Sequence, residues 1–301
     1  MVSIKTATGH VTYTVLIPTR GRPALLARSL KKMPWLNDAS VVIGVHDKDL
    51  DAYAEVRAAH RGIRWIGVQN PTGSVAVARE RLRTFAMRKA EADYYVVTDD
   101  NAVHASEAAL QNLIRCCHEY EHRVHQPVIM AGMHNTAIHF DRGKIGRAVN
   151  TYGLRSYPCV AMIFQTYPHD VYARYAYPAD AYGLDDRHFF LWCIAQGITE
   201  FRVCMDAPFT KSRYQEGGQG SIRERMVKTG RAIARLATDF PELVGATGTL
   251  RIPWQFLLTM GRNGTADRLV GGAMRKESDI VRTGTPLVVR RRHHTVDGGH
   301  S

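Results

Sequence analysis

Apolar runs of strand length alternate with amphipathic stretches along the first hundred residues. Val11-Thr-Tyr-Thr-Val-Leu-Ile17 has the composition of a buried strand, and the segment Pro18-Thr-Arg-Gly-Arg-Pro23 closes it as a tight loop. That second proline opens a helix over Ala24 to Met33. Val41-Val-Ile-Gly-Val45 is a second strand ending in His46-Asp47, Asp51 to Arg61 has helical composition, and Ile63 to Val68 makes a third strand. Asn70-Pro-Thr-Gly-Ser74 then turns the chain into another helix. There Val75, Ala78, Leu82 and Phe85 repeat at the spacing of one helical face, which assigns Arg79, Arg81, Arg83 and Arg88 to the others. A fourth strand spans Asp93 to Thr98. Such alternation predicts an α/β fold with a mainly parallel, doubly wound sheet flanked by helices, whose ligands bind outside the carboxyl ends of the strands. The loops at 18–23, 46–47 and 99–101 all fall at that edge.

Beyond residue 105 the pattern loosens. A helix is expected over Ser106 to Glu121, followed by an irregular, tyrosine-rich stretch from Pro127 to Tyr182 with its clearest strands at Pro127–Ala131 and Val160–Phe164. Gly183 to Gly197 reads as an acidic helix start, a buried helix and a glycine stop, and Phe201–Met205 as a short strand. Ser221 and Glu224 have the spacing of a capping box. After them Ile222, Met226, Ile233, Leu236 and Phe240 share one helical face, with Lys228, Arg231 and Arg235 opposite. Periodicity fades from about Gly271, and the tail carrying Arg290 to His294 is expected to be mobile.

Charge narrows the partners. The chain has 301 residues, 45% of them hydrophobic, and a formal net charge of +12, which favours an anionic partner without bearing on the fold. No stretch reaches the roughly 18 apolar residues of a membrane span, and Met1 to His10 lacks the apolar core of a signal peptide. A soluble, cytoplasmic protein is expected. Five scattered cysteines suit reduced core thiols and form no Cys-x-x-Cys spacing, so a structural zinc site is not expected.

The chemistry concentrates at the end of the fourth strand. Tyr94-Tyr-Val-Val-Thr-Asp-Asp-Asn101 finishes an apolar run in two adjacent carboxylates, which repel each other unless a cation or solvent screens them. A solvated turn explains the pair as well as a metal site does. Arg20 and Arg22 have guanidinium forks suited to phosphate oxygens, and Asp185 and Asp186 sit where a helix dipole rewards acid. Each has a plain structural reading: an exposed turn for the arginines, a helix cap for the acids.

Thr14-Val-Leu-Ile-Pro-Thr-Arg-Gly-Arg22, Gly73 with Ala78-Arg79, Thr98-Asp-Asp-Asn101 and Gly183-Leu-Asp-Asp186 occur in the order seen in family 2-like glycosyltransferases of the GT-A fold. The chain resembles that superfamily from about residue 12 to 215. The resemblance implies a GT-A core over 1–215, with a donor half to about 105 and an acceptor half after it, and a basic helical extension over 216–301. It implies a UDP-sugar donor held by Pro18, Thr19, Arg20, Arg22, Asp47, Gly73, Arg79 and Asp99. Asp99, Asp100 and Asn101 stand at the DxD motif, whose acids hold Mn2+ or Mg2+ against the diphosphate, although Asn101 replaces the third acid of many relatives. Asp186, with Asp185 beside it, stands at the general base that deprotonates the acceptor hydroxyl, and an inverting reaction is expected.

Lys211-Ser-Arg-Tyr-Gln-Glu-Gly-Gly-Gln-Gly-Ser221 adds a glycine-rich basic loop in which Lys211, Arg213, Gly217 and Gly218 can meet phosphate or serve only as a hinge. Together with the basic chain and the Asp-Asp-Asn turn, this loop resembles the TET-associated glycosyltransferases of bacteriophages. That narrower resemblance implies 5-hydroxymethylcytosine in DNA as acceptor, the host cytoplasm as location and no obligate protein partner. Arg223, Lys228, Arg231 and Arg235 would then contact phosphates. Tyr152, Tyr157, Tyr167, Tyr172, Tyr175, Tyr177 and Tyr182 would offer stacking faces to a flipped base. Two other classes stay open: a glycosyltransferase acting on a polysaccharide, protein or lipid, and a DNA-binding protein without catalysis.

Overall fold

The computed structural model describes residues 3–70, 72–134, 154–156, 165–182, 184–198, 200–211, 231–232 and 234–243. In chain order the elements are β1 (Ser3–Thr6), β2 (Gly9–Thr19), α1 (Pro23–Lys31), β3 (Val41–His46), α2 (Ala54–Ala59), β4 (Arg64–Val68), α3 (Val75–Lys89), β5 (Tyr94–Val97) and β6 (Ala102–His104). They continue with α4 (Glu107–Val124), β7 (Val128–His134), β8 (Leu154–Ser156), β9 (Gln165–Pro168), α5 (His169–Arg174), α6 (Asp185–Ala195) and β10 (Glu200–Lys211). Residues 231–232 and 234–239 are also helical.

One sheet runs β4-β3-β2-β5-β9-β7-β10-β6, with β1 added to β2 and β8 to β10. Its first four strands are parallel, as expected, and so is the long β7–β10 ladder. Strand β9 runs antiparallel between β5 and β7 and joins the two halves. Helices cover both faces, which is why β3 and β5 are buried at every position instead of alternating. The period of two appears instead in where side chains go. Val15 and Ile17 of β2 join a core with Leu26 and Leu30 of α1 and Leu113 and Ile114 of α4, whereas Leu16 joins Leu82 of α3 and Phe189 and Phe190 of α6 on the opposite face.

Local chemistry sets the helix ends. Pro23 starts α1, and Ser106 caps α4 by accepting the Ala109 N–H at 3.1 Å. Asp47–Tyr53 forms a 3-10 helix before α2, so the expected helix over Asp51 to Arg61 is split and shorter. Cys116, Cys117, Cys193 and Cys204 are buried, as expected of core thiols. No helix among the described residues is long and apolar enough to cross a membrane.

Two expectations are overturned. The buried face of α3 is Ala76, Arg79, Leu82 and Ala86, so Arg79 points inward while Val75, Ala78 and Phe85 are only partly covered. The tyrosines are core, not a stacking platform: Tyr167, Tyr172, Tyr175 and Tyr177 are all at most 4% exposed. Tyr167 stacks on Tyr172 with centroids 5.1 Å apart, and Tyr175 meets Phe189 edge-on at 4.8 Å. Tyr182 is half-buried, and Tyr152 and Tyr157 lie outside the described residues. Outside them too are the Val160–Phe164 strand, the capping box at Ser221 and Glu224, and the tail.

Candidate functional site

After β2 the chain lays β3 and β4 to one side and then crosses to place β5 on the other. Where strand order reverses in this way, the loops at the carboxyl ends part and leave a crevice. Thr19 ends β2 there, and Asp99 to Asn101 follow β5.

The Pro18–Pro23 loop is pinned, not merely solvated. Thr19 Oγ1 donates to Asp100 Oδ2 at 2.8 Å and accepts from the Tyr53 hydroxyl, also at 2.8 Å. Tyr53 in turn accepts the Arg22 backbone N–H at 2.9 Å, and Asp49 accepts that of Gly21 at 2.8 Å. The Arg22 guanidinium reaches Asp100 Oδ1 at 2.6 Å. Asp100 is thus enclosed, only 1% exposed, with both oxygens committed. Burial pushes its pKa up to about 6, more than Arg22 and Thr19 pull it down.

A folded-state pKa above the unfolded one means that the native state holds the extra proton, so stability is greatest at low pH and falls as pH rises. For Asp100 the window runs from about 4 to about 6. Burial also pushes Glu121 up to about 7, so it contributes in the same direction. Urea denaturation of the wild type and of Asp100→Asn isolates the first group. The wild type should lose stability relative to the variant between those pH values, and parallel curves would rule out a buried, titrating Asp100.

Arg79 is the hub of the site. It is 5% exposed; Nη1 bonds Asp185 Oδ2 in a short contact, and Nη2 bonds Asp99 Oδ1 at 3.1 Å. Burial alone would lower its pKa, but the two carboxylates hold it well above the ordinary value. One guanidinium therefore ties the end of β5 to the first turn of α6. Asp185 is 2% exposed with its charge answered, whereas Asp186, next in the same turn, is half-buried. Within the acidic triplet Asp100 and Asn101 are buried, and only the Asp99 side chain, 22% exposed, opens toward solvent.

The remaining expected donor residues gather along the same edge. Arg20 is exposed, with Nη1 3.4 Å from the Gly73 carbonyl, and Gly73 has φ +65, a left-handed conformation suited to glycine. Asp47 follows β3 with its side chain 40% exposed, accepting the Lys48 N–H at 3.0 Å. The loop before α3 is braced from β3: His46 Nε2 bonds the Asn70 carbonyl at 3.0 Å, and Asn70 Nδ2 donates to the Ser74 carbonyl at 2.7 Å. Lys211 is the last residue of β10. Arg213, Gly217, Gly218, Arg223 and Lys228 lie outside the described residues.

Sequence reasoning missed Tyr53, Asp49, His46 and Asn70, which hold the loops, and a second chain of polar groups behind α6. Tyr175 OH lies 3.0 Å from His188 Nδ1, His188 Nε2 lies 2.8 Å from Asp239 Oδ2, and Arg235 Nε donates to Asp239 at 2.6 Å. Arg235 also faces Asp180 at 3.6 Å, while Arg231 is exposed. None of these contacts has a local sequence signal, apart from the i, i+4 spacing of Arg235 and Asp239.

No protein-family model and no curated protein matches the chain. Solved structures do. A mannosyltransferase from Pyrobaculum calidifontis, in complex with GDP-Man and Mn2+, superposes with a TM-score of 0.54 at 16% identity, over 91% of this chain and 79% of that one. Glucosyl-3-phosphoglycerate synthase from Mycobacterium tuberculosis gives 0.49 at 10% identity, over 77% of this chain and 79% of that one. Mannosyl-3-phosphoglycerate synthase from Rubrobacter xylanophilus gives 0.49 at 13%, over 77% and 76%. At these identities the first likeness is one of fold: the chain has the Rossmann-like α/β architecture of GT-A proteins.

Proposed function

We propose that the chain is a glycosyltransferase moving a sugar from a nucleotide-sugar, a UDP-sugar first, to a hydroxyl acceptor with the help of Mn2+ or Mg2+. The observation that carries this reading is the Asp99–Arg79–Asp185 bridge at the switch point, which brings the acidic strand end and the acidic helix start into one site. The GDP-Man and Mn2+ complex of the mannosyltransferase with this fold supports the same class of donor.

The donor set fits a hard cation that takes most of its ligands from phosphate and water. Asp99 supplies a carboxylate oxygen at the crevice, and among the described residues no three acids, histidines or cysteines form a protein cage. Asp100, enclosed by Thr19 and Arg22, shapes the loop instead of holding the ion. When bound, such a cation would neutralise charge growing on the leaving diphosphate. Arg20, exposed beside Gly73, is placed to meet donor oxygens. Asp186 takes the proton from the acceptor hydroxyl as it attacks the anomeric carbon, with inversion.

For the acceptor, the net charge of +12 favours a polyanion, and we carry forward DNA containing 5-hydroxymethylcytosine. The buried tyrosines lend it no support. Of Arg223, Lys228, Arg231 and Arg235, Arg231 is described and exposed, and Arg235 is engaged by Asp239 and Asp180. Arg231→Glu should weaken binding to duplex DNA and lower the salt slope by about 1, measured by anisotropy across salt concentrations. An unchanged slope would place Arg231 away from DNA.

The activity test combines Mn2+ or Mg2+, a panel of UDP-sugars with GDP-mannose, and DNA carrying cytosine or 5-hydroxymethylcytosine, with nucleosides read by mass. A sugar gained only by the hydroxymethyl base supports both parts. Donor hydrolysis or transfer to saccharides without DNA modification keeps the enzyme and removes the acceptor. DNA binding unchanged by Asp99→Asn, with no turnover of any donor, points to a binding protein.

A further inference from the structure

At the other end of the strands, where β2 and β5 begin, an open cleft of about 870 Å³ indents the surface. His10, His118, His122, His125 and His169, five of the chain's 14 histidines, line it with four carboxylates and no lysine or arginine. Imidazole with carboxylate is a donor set for borderline divalent transition metals. This cleft shares no residue with the crevice at the carboxyl edge.

Helix α4 gives the cleft its order. His118 and His122 stand four residues apart on one face, with ring centroids 4.5 Å apart, and His125 follows as the left-handed cap, φ 54. Behind His118 runs a chain of hydrogen bonds with a fixed sense. Glu121 accepts on both oxygens, from the Val128 N–H at 2.9 Å and from the Tyr94 hydroxyl. Tyr94 has one proton, and it goes to Glu121. Its oxygen therefore accepts from His118 Nδ1, 3.0 Å away. With the proton on Nδ1, Nε2 keeps its lone pair, now met by the hydroxyl of exposed Thr8 at 2.7 Å. An imidazole whose far N–H is held by an outer partner is the arrangement that orients metal ligands.

We propose that His118 Nε2 and His122 form a two-imidazole binding site for a divalent transition-metal ion of the zinc and cobalt class. Thr8 yields by rotating its hydroxyl. As the described side chains stand, no three of them could hold a metal, so water or a reoriented His125 fills the other positions. The His-x-x-x-His spacing was present in the sequence; the helix joins the two rings, and Tyr94 with Glu121 selects the nitrogen.

The test uses the full chain carrying Asp99→Asn, so that the donor-side acid plays no part. Zn2+ is titrated by calorimetry and Co2+ by its visible absorption. Saturable one-to-one binding is expected. His122→Ala, at an exposed position, should keep the circular dichroism spectrum and lose at least tenfold in affinity, and Tyr94→Phe should lose about tenfold through the outer partner. Absence of saturable binding, or His122→Ala binding as the parent does, would overturn the site. Tyr94→Phe with parental affinity would overturn the ordering of His118. Neither outcome depends on glycosyl transfer.

Discussion

Arg79→Met should be the most destabilising single change at the site, shifting the urea midpoint by the equivalent of about 3–5 kcal/mol. The side chain is 5% exposed, and its removal leaves Asp185, 2% exposed, as a buried carboxylate without its counter-charge. Asp99 loses a partner too, at smaller cost because its side chain is 22% exposed. The cost comes chiefly from the stranded charge, so it should shrink when that charge is also removed. Arg79→Met with Asp185→Asn is therefore expected to recover a substantial part of the loss, whereas Arg79→Met with Asp186→Asn recovers little. Additive losses in the first double variant would show that Arg79 and Asp185 do not act as a pair.

That prediction turns on a residue whose orientation the sequence hides. The apolar periodicity of α3 points to Val75, Ala78, Leu82 and Phe85, because a helix reader assigns arginine to solvent. Arg79 faces the core because carboxylates 20 and 106 positions away wait for it there, and no local window contains them. The alternating strands were legible since each is a continuous apolar run between two helical layers, and so was the edge bearing 18–23, 46–47 and 99–101. Strand β9 was not. Gln165-Thr-Tyr-Pro168 carries little apolar pattern and owes its place to the backbones of β5 and β7 on either side. The tyrosines failed for a related reason: composition alone does not tell an exposed ring from one packed on Phe189.

The geometry also redistributes the roles of the acids. Adjacent carboxylates at a strand end would repel, and each here has its own cation: Arg22 for Asp100, Arg79 for Asp99. Burial separates them further: it encloses Asp100 as a brace and raises its pKa, and it leaves Asp99 at the opening. A donor cation arriving at Asp99 would compete with Arg79 for the same carboxylate. The Asp185 end of the bridge would feel that competition, which links the two halves of the site electrostatically.

Asp186→Asn should lower kcat by about 10²–10⁴-fold, the range of general-base assistance, while donor binding measured by calorimetry stays near wild type. The acceptor hydroxyl has a pKa far above that of a carboxylate, so its proton must leave as the carbon–oxygen bond forms, and the base must be within the acceptor's reach. Asp185 does not meet that condition, since Arg79 holds it in a closed contact. Asp186, half-buried in the first turn of α6, is the neighbouring acid at the surface of the site. Asp185→Asn separates the two roles: it should lose activity together with urea stability, because it takes from buried Arg79 one of its two carboxylates, whereas Asp186→Asn should lower activity far more than stability. Retained turnover in Asp186→Asn would remove it from the mechanism. A stable but inactive Asp185→Asn would exchange the two assignments.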